Sequence, residues 1–228
     1  MVAALVLVGC SVPDVENDRG IPRAPASISP AEARSRLADL DVVDRRPGGL
    51  PPYDRGSFGS SWADVDGNGC NQRDDVLLRD AVPGSTQVQQ QGRCPNDVLA
   101  GTWIDPYTGA TLTFDDLKNP AQAQAIQIDH VVPLSEAWRS GAASWQDDRR
   151  RRFANDLANL LAVDGPTNAA KSDDDPAAWR PRKVYQCSFA SRWIAVKDAW
   201  RLAADHSEIV ALEEMLDSCA DEGPRTAP

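Results

Sequence analysis

Ile128-Asp129-His130-Val131-Val132-Pro133-Leu134 is the stretch on which the reading of this chain turns, together with Asn159-Leu160-Leu161 and Asn168-Ala169-Ala170-Lys171 further on. Ile126-Gln127-Ile128 has strand composition and runs into Asp129-His130, and Pro133 closes the run. Asn159 to Val163 is a second β-prone run. Gly165-Pro166 then turns the chain into a short helix carrying Asn168 on its first turn and Lys171 one turn later. A histidine is the side chain best poised for general-base work near neutral pH. A carboxylate and an amide oxygen are hard donors suited to Mg²⁺, which keeps several of its waters. Two strands and a helix placed in this order bring all three groups to one point. One geometric condition applies. Neighbours on a regular strand face opposite ways, so Asp129 and His130 can share a ligand only where the strand ends or bulges.

Outward from this segment, Gly101–Ile104 and Ala110–Phe114 are β-prone and flank Asp105-Pro106-Tyr107-Thr108-Gly109, a turn sequence, so a hairpin is expected. Leu134 to Ser140 reads as a short helix, and Ser144 as the cap of a helix running through Arg149–Arg152 to Phe153. Tyr185, Phe189, Trp193, Val196 and Trp200 recur at helical steps within Arg182–Ala204 and predict a buried stripe. Asp205 and Glu208 form a capping box for a last helix with Ile209, Leu212 and Leu216. Ser29-Pro30-Ala31-Glu32 is another, opening a helix to about Leu40, and Asp74–Ala81 has helical composition. Arg46 to Gly59 is rich in Pro and Gly and reads as loop.

Composition frames the chemistry. The 228 residues carry a formal charge of −10, an unusual balance for a tight, non-specific binder of polyanions. Any nucleic-acid contact must therefore rest on local cations. Arg149, Arg150 and Arg152 lie in a run of four arginines, and Arg180, Arg182 and Lys183 follow Asn168. These are the candidates for contact with a phosphate backbone, the competing reading being solvated faces.

Residues 1–10 are an apolar run ending at Cys10, too short to cross a bilayer as a helix but suited to a signal peptide. Leu7-Val8-Gly9-Cys10 resembles a bacterial lipobox, which implies lipidation of Cys10 and a membrane anchor. No Lys or Arg follows Met1, so the basic leading region of such a peptide is missing. Residues 11–28 read as a flexible tether, and 29–228 as one domain. Cys70, Cys94, Cys187 and Cys219 remain, an even number in an exported protein. Order along the chain favours Cys70–Cys94 and Cys187–Cys219, though sequence alone leaves the pairing open. Without a Cys-x-x-Cys pair, zinc is the weaker alternative. Asp64, Asp66, Asn68 and Asp75 fall at positions 1, 3, 5 and 12 of an EF-hand-like loop, with Gly69 at 6. Ca²⁺ at this second site competes with a plain Gly-rich turn.

The Asp129-His130 segment, Asn159 and Asn168…Lys171 resemble the HNH nuclease family in its Asp-His variant. That variant is found in the C-terminal nuclease domain of modification-dependent restriction enzymes, and the longer motif order is similar to small exported actinobacterial HNH proteins. The resemblance implies an α+β fold with a ββα-metal (His-Me finger) core over about residues 126–179, packed on C-terminal helices. It implies His130 as the base that deprotonates water, and Asp129 and Asn168 as ligands of Mg²⁺ or Mn²⁺. Asn159 would brace the histidine segment, and Lys171 would approach the scissile phosphate. The function implied is metal-dependent endonuclease action on DNA, and on RNA as a second substrate, outside the cytoplasm by a monomer. The alternative from another class is a catalytically silent surface lipoprotein that binds calcium or a cell-wall partner.

Overall fold

Leu160-Leu161-Ala162-Val163 is apolar at every position, and a strand buries such a run only when both its faces are covered. Both are. In the computed structural model, which describes residues 27–44 and 47–221, β6 (Leu160–Asp164) pairs antiparallel with β5 (Ile126–His130) in the register His130 to Leu160 and Ile126 to Asp164. Ile126, Ile128, Leu160 and Ala162 point into a smaller core with Val76, Val98 and Trp103. Leu161 and Val163 point into the larger one. The hairpin is thus a partition between two cores, followed at once by α6 (Gly165–Lys171), capped by the Asp164 side chain on Thr167 N.

The smaller core is roofed by α2 (Gln72–Asp80) and a three-stranded antiparallel sheet of β2 (Gln87–Gln91), β3 (Cys94–Ile104) and β4 (Thr111–Phe114). The hairpin expected around Asp105–Gly109 is β3–β4. Strand β2 went unread because Gln-Val-Gln-Gln-Gln is exposed throughout and has no apolar alternation to reveal it. The larger core is built on α7 (Lys183–Trp200), flanked by α1 (Pro30–Ala38) and α8 (His206–Asp217). The aromatic stripe of α7 is buried, but so are Cys187, Ala190, Ser191, Ile194, Ala195 and Lys197, so this helix is central rather than one-faced. Arg201 in the left-handed conformation ends it. The Asp205/Glu208 capping box of α8 and the Ser29 cap of α1 are both present.

Three boundaries differ from expectation. Ser144 does not cap the arginine helix, α5 (Asp147–Ala154). Its hydroxyl bonds Gly141 O within a 3-10 turn, and Trp145 is extended so that its ring packs on Phe153 and Trp200. Ile28 packs against the larger core and so belongs to the domain rather than a tether. The Pro/Gly-rich loop contains a 3-10 turn at Arg55–Phe58 and carries Phe58 into the core. The remaining elements are α3 (Pro120–Ala125), α4 (Leu134–Arg139) and the two-residue parallel pair β1 (Val42–Val43) with β7 (Ala204–Asp205).

Disulfides join Cys70 to Cys94 and Cys187 to Cys219, the pairing favoured by chain order. The first ties the turn before α2 to the start of β3, and the second ties α7 to the turn after α8. Cys10 and the proposed signal segment lie outside the described residues. Among the described residues, no helix is long and apolar enough to cross a membrane.

Candidate functional site

Alternation along β5 decides what its side chains meet. Ile126 and Ile128 go to the smaller core, so Gln127 and Asp129 face the other way, toward α6. On α6, Asn168 and Lys171 are three apart and share a helical face. The two periods match. Asn168 Nδ2 donates to Gln127 Oε1 at 2.8 Å, and Lys171 Nζ donates to Asp129 Oδ1 at 3.0 Å. Gln127 Nε2 donates to Gln124 O, which can only accept, so the amide orientations are fixed and Asn168 Oδ1 is the oxygen left over.

Asp129 is buried, yet both carboxylate oxygens have donors, because the Tyr107 hydroxyl gives a 2.6 Å bond to Oδ2. Burial raises the Asp129 pKa, and Lys171 and Tyr107 oppose the rise. The expectation that Lys171 approaches a phosphate is corrected here. Its side chain is 0% exposed and its ammonium is shared between Asp129 and the His130 carbonyl, so it neutralises a buried acid. Tyr107 was missed because the turn chemistry around it explained the segment without asking where a buried tyrosine hydroxyl finds its partner. Asp105 in the same turn bonds Thr108 and the Asp164 amide, tying that turn to the end of β6.

Beyond His130 the ladder stops, as the shared-ligand condition requires. Val131 N donates to Asn159 O, and the Asn159 side chain bonds both backbone groups of Val132, accepting from N at 2.8 Å and donating to O at 3.1 Å. His130 is partly buried, and Nε2 lies 2.8 Å from Ala154 O at the end of α5. A carbonyl only accepts, so Nε2 carries hydrogen and Nδ1 is bare in the neutral ring. Burial pulls the His130 pKa down to about 4, against the Ala154 carbonyl, so the ring is neutral at physiological pH. The Trp62 ring lies parallel to it, centroids 6.3 Å apart, on a residue with φ +59°. A tryptophan in that region of backbone space is a strained exception of the kind that concentrates at functional sites.

Asp129, His130 and Asn168 all line one cavity of about 350 Å³, with Tyr53, Arg55, Ser135 and Asp173 on its walls. A small recess of about 30 Å³ lies on another side of His130, lined by Arg55, Phe58, Trp62 and Asn155. The donor set is one buried carboxylate, whose two oxygens already accept from Lys171 and Tyr107, and one amide oxygen, on a cavity with room for water. Hard oxygen donors of this kind suit Mg²⁺ or Mn²⁺ and not the closed nitrogen-sulfur shell of structural zinc. Among the described residues, no three His, Cys, Asp or Glu side chains are grouped to hold a metal. In the 64–75 loop the oxygens serve the loop itself. Asp64 accepts from Gly67 N and Gly69 N, Asp66 from Asn68 N, and Asn68 bridges Cys70 N and Asp75. The segment is a hydrogen-bonded turn pinned by Cys70–Cys94, with Asp75 Oδ2 buried and without a hydrogen-bond partner among the described residues. Burial raises the Asp75 pKa, and the nearby charges of Asp66 and Asp64 add to the rise.

The arginines expected to face a phosphate backbone are mostly committed elsewhere. Arg150 is buried on Asp147 and the carbonyls of Ser57, Ala142 and Trp145, while Arg149 lies over Trp145 and donates to Trp200 O. Arg152 pairs with Asp148 and Arg180 with Glu214, and Arg182 donates to Pro106 O. Successive residues on a helix are about 100° apart, so four consecutive arginines cannot make one basic face. Lys183 opens α7 and does not line the cavity. Asp175 accepts from Ala177 N and Ala178 N and so caps the turn after α6.

A mixed α+β chain stapled by disulfides, with this polar cleft, is related to nucleases by family. Residues 72–215 match the family described as GmrSD restriction endonucleases, C-terminal domain, and the chain belongs to that family. It is also 41% identical over 202 residues to a protein of Arthroderma benhamiae described as an uncharacterized secreted protein, over 87% of this chain and 90% of that one. No solved structure matches the chain.

Proposed function

We propose that the chain is an exported, metal-dependent endonuclease of the HNH kind, with β5, β6 and α6 as its ββα-metal core. In this reading it hydrolyses phosphodiester bonds of DNA, with RNA as a second substrate. The observation that carries the proposal is the bare Nδ1 of a neutral His130, its other nitrogen held by Ala154, on the cavity shared with Asp129 and Asn168. In this role His130 Nδ1 takes the proton of a water attacking phosphorus, and the Ala154 carbonyl steadies the imidazolium that results. Asn159 holds the segment bearing that ring. Asp129 and the Asn168 oxygen are the groups proposed to hold Mg²⁺ or Mn²⁺. Such a cation, when bound, supplies charge to the phosphate oxygens and to the departing oxygen. Attack in line with the 3′ oxygen leaves 5′-phosphate and 3′-hydroxyl ends.

Export is supported by two disulfides and by the relative described as secreted. Family membership supports a nucleic-acid substrate. The test is plasmid cleavage by the purified protein with Mg²⁺ or Mn²⁺, beside His130→Ala and an EDTA control. Wild type should nick the plasmid, and losing the base should slow cleavage about 10²–10⁴-fold. Intact plasmid with every cation would sink the enzyme reading and leave the silent-lipoprotein alternative. Equal cleavage by wild type and His130→Ala would sink the role of His130.

A further inference from the structure

We propose that Arg55, outside the family-matched span, is the cation that binds the scissile phosphodiester. The inference rests on the nuclease reading and supplies what that reading lost when Lys171 proved to be buried. The molecule carries ten net negative charges, and its main cavity already presents Asp129 and Asp173. Beyond any charge a bound cation supplies, a positive group on the wall without an acidic partner favours entry of a polyanion into such a place. Lys171 is spent on Asp129, and Arg139, near the rim, on Glu136 and Asp173. Arg55 is exposed, lines both the main cavity and the recess beside His130, and makes no ion pair among the described residues.

Its freedom is built in by the local fold. The neighbouring carboxylate, Asp54, is occupied as the cap of the 3-10 turn, accepting from Gly56 N at 3.0 Å and Ser57 Oγ at 3.1 Å. Phe58 anchors the turn in the larger core, Arg150 donates to Ser57 O, and Trp138 Nε1 donates to Pro51 O. The buried arginine of the basic run thus holds the segment that presents the exposed one. Its one side-chain partner among the described residues is the neutral Tyr53 hydroxyl, which leaves the positive charge uncompensated beside His130 on the cavity wall. Its planar guanidinium can take two oxygens of one phosphate, which a lysine cannot match.

The experiment compares wild type, Arg55→Gln and Arg55→Lys in cleavage of a fluorescent duplex oligonucleotide with Mg²⁺, over a series of salt concentrations. Thermal melting of each variant provides the folding control, and an exposed side chain should leave it unchanged. Loss of one charge-assisted phosphate contact should raise KM about 10- to 100-fold. It should also reduce the slope of log(kcat/KM) against log salt by about one, with Arg55→Lys recovering part of each. Arg55→Gln with wild-type KM and salt slope overturns the assignment while the nuclease reading stands. Absence of cleavage by wild type overturns that reading and the assignment together.

Discussion

Asp129 shows what a single residue needs in order to be charged inside a protein. Its carboxylate is nearly dry, and it is held by a tyrosine hydroxyl on one oxygen and a lysine ammonium on the other. Desolvating either ion alone costs several kcal/mol, and the pair is tolerable because each satisfies the other. Lys171→Met should therefore be a stability variant. Leaving Asp129 uncompensated should cost about 3–5 kcal/mol, read as a lowered urea midpoint. Adding Asp129→Asn should recover part of the loss, since the two sites are coupled. Had Lys171 been a phosphate contact, its loss would leave the midpoint in place and raise KM alone, and that result would overturn its role as the buried partner of Asp129.

At the scale of elements, the site depends on where β5 stops. Asn159 ends the ladder by clasping Val132 from both sides, which releases the chain to turn at Pro133 and lets Asp129 and His130 line one cavity. Asn159→Ala leaves a buried N–H and a buried C=O without partners, at about 1–3 kcal/mol for each group. Amide exchange at Val132 should quicken and kcat should fall, because the imidazole is no longer held. Unchanged exchange would mean that Val132 is protected by something other than this clasp. The hairpin, α6, the Ser29 and Asp205 caps and the disulfides were legible because they depend on local patterns: an unbroken apolar run, Asp or Ser before a helix, and an even cysteine count. Gln127, Tyr107 and Arg55 were not. Gln127 matters only through the pairing of a two-residue period with a helical one. Tyr107 and Arg55 come from turns 23 or more positions upstream of His130, joined to it by packing that no local pattern encodes. The arginine run misled for the converse reason: adjacency in sequence scatters side chains around a helix.

Taken as a whole, the molecule is two cores divided by one hairpin, and the larger core contains a second buried ionic cluster that locks the site to the C-terminal helices. Lys197 on α7 donates to Glu136 on α4 and Glu208 on α8, and to Ala203 O. Trp193 Nε1 also donates to Glu208, whose side chain closes the capping box on Asp205 N. Burial pushes the Glu208 pKa up from 4.5 to about 7, with Glu136 adding to the rise and Lys197 opposing it. The folded chain thus binds this proton more tightly than the unfolded chain does, and stability from this group is full below about pH 4.5. It is lost as pH rises toward and past about 7. Lys197 is displaced upward too, and its contribution holds across that window, being lost only above its raised pKa. Denaturant midpoints measured from pH 5 to 8 should therefore show a falling component in wild type that is absent from Glu208→Gln. A glutamine side chain cannot titrate, so the slope carries the comparison whatever the overall stability of the variant. Titrating carboxylates outside the Glu136–Lys197–Glu208 cluster are common to both proteins and cancel in the difference. Parallel slopes would mean that Glu208 stays ionised throughout, its carboxylate held by Lys197 and Trp193 strongly enough to outweigh burial.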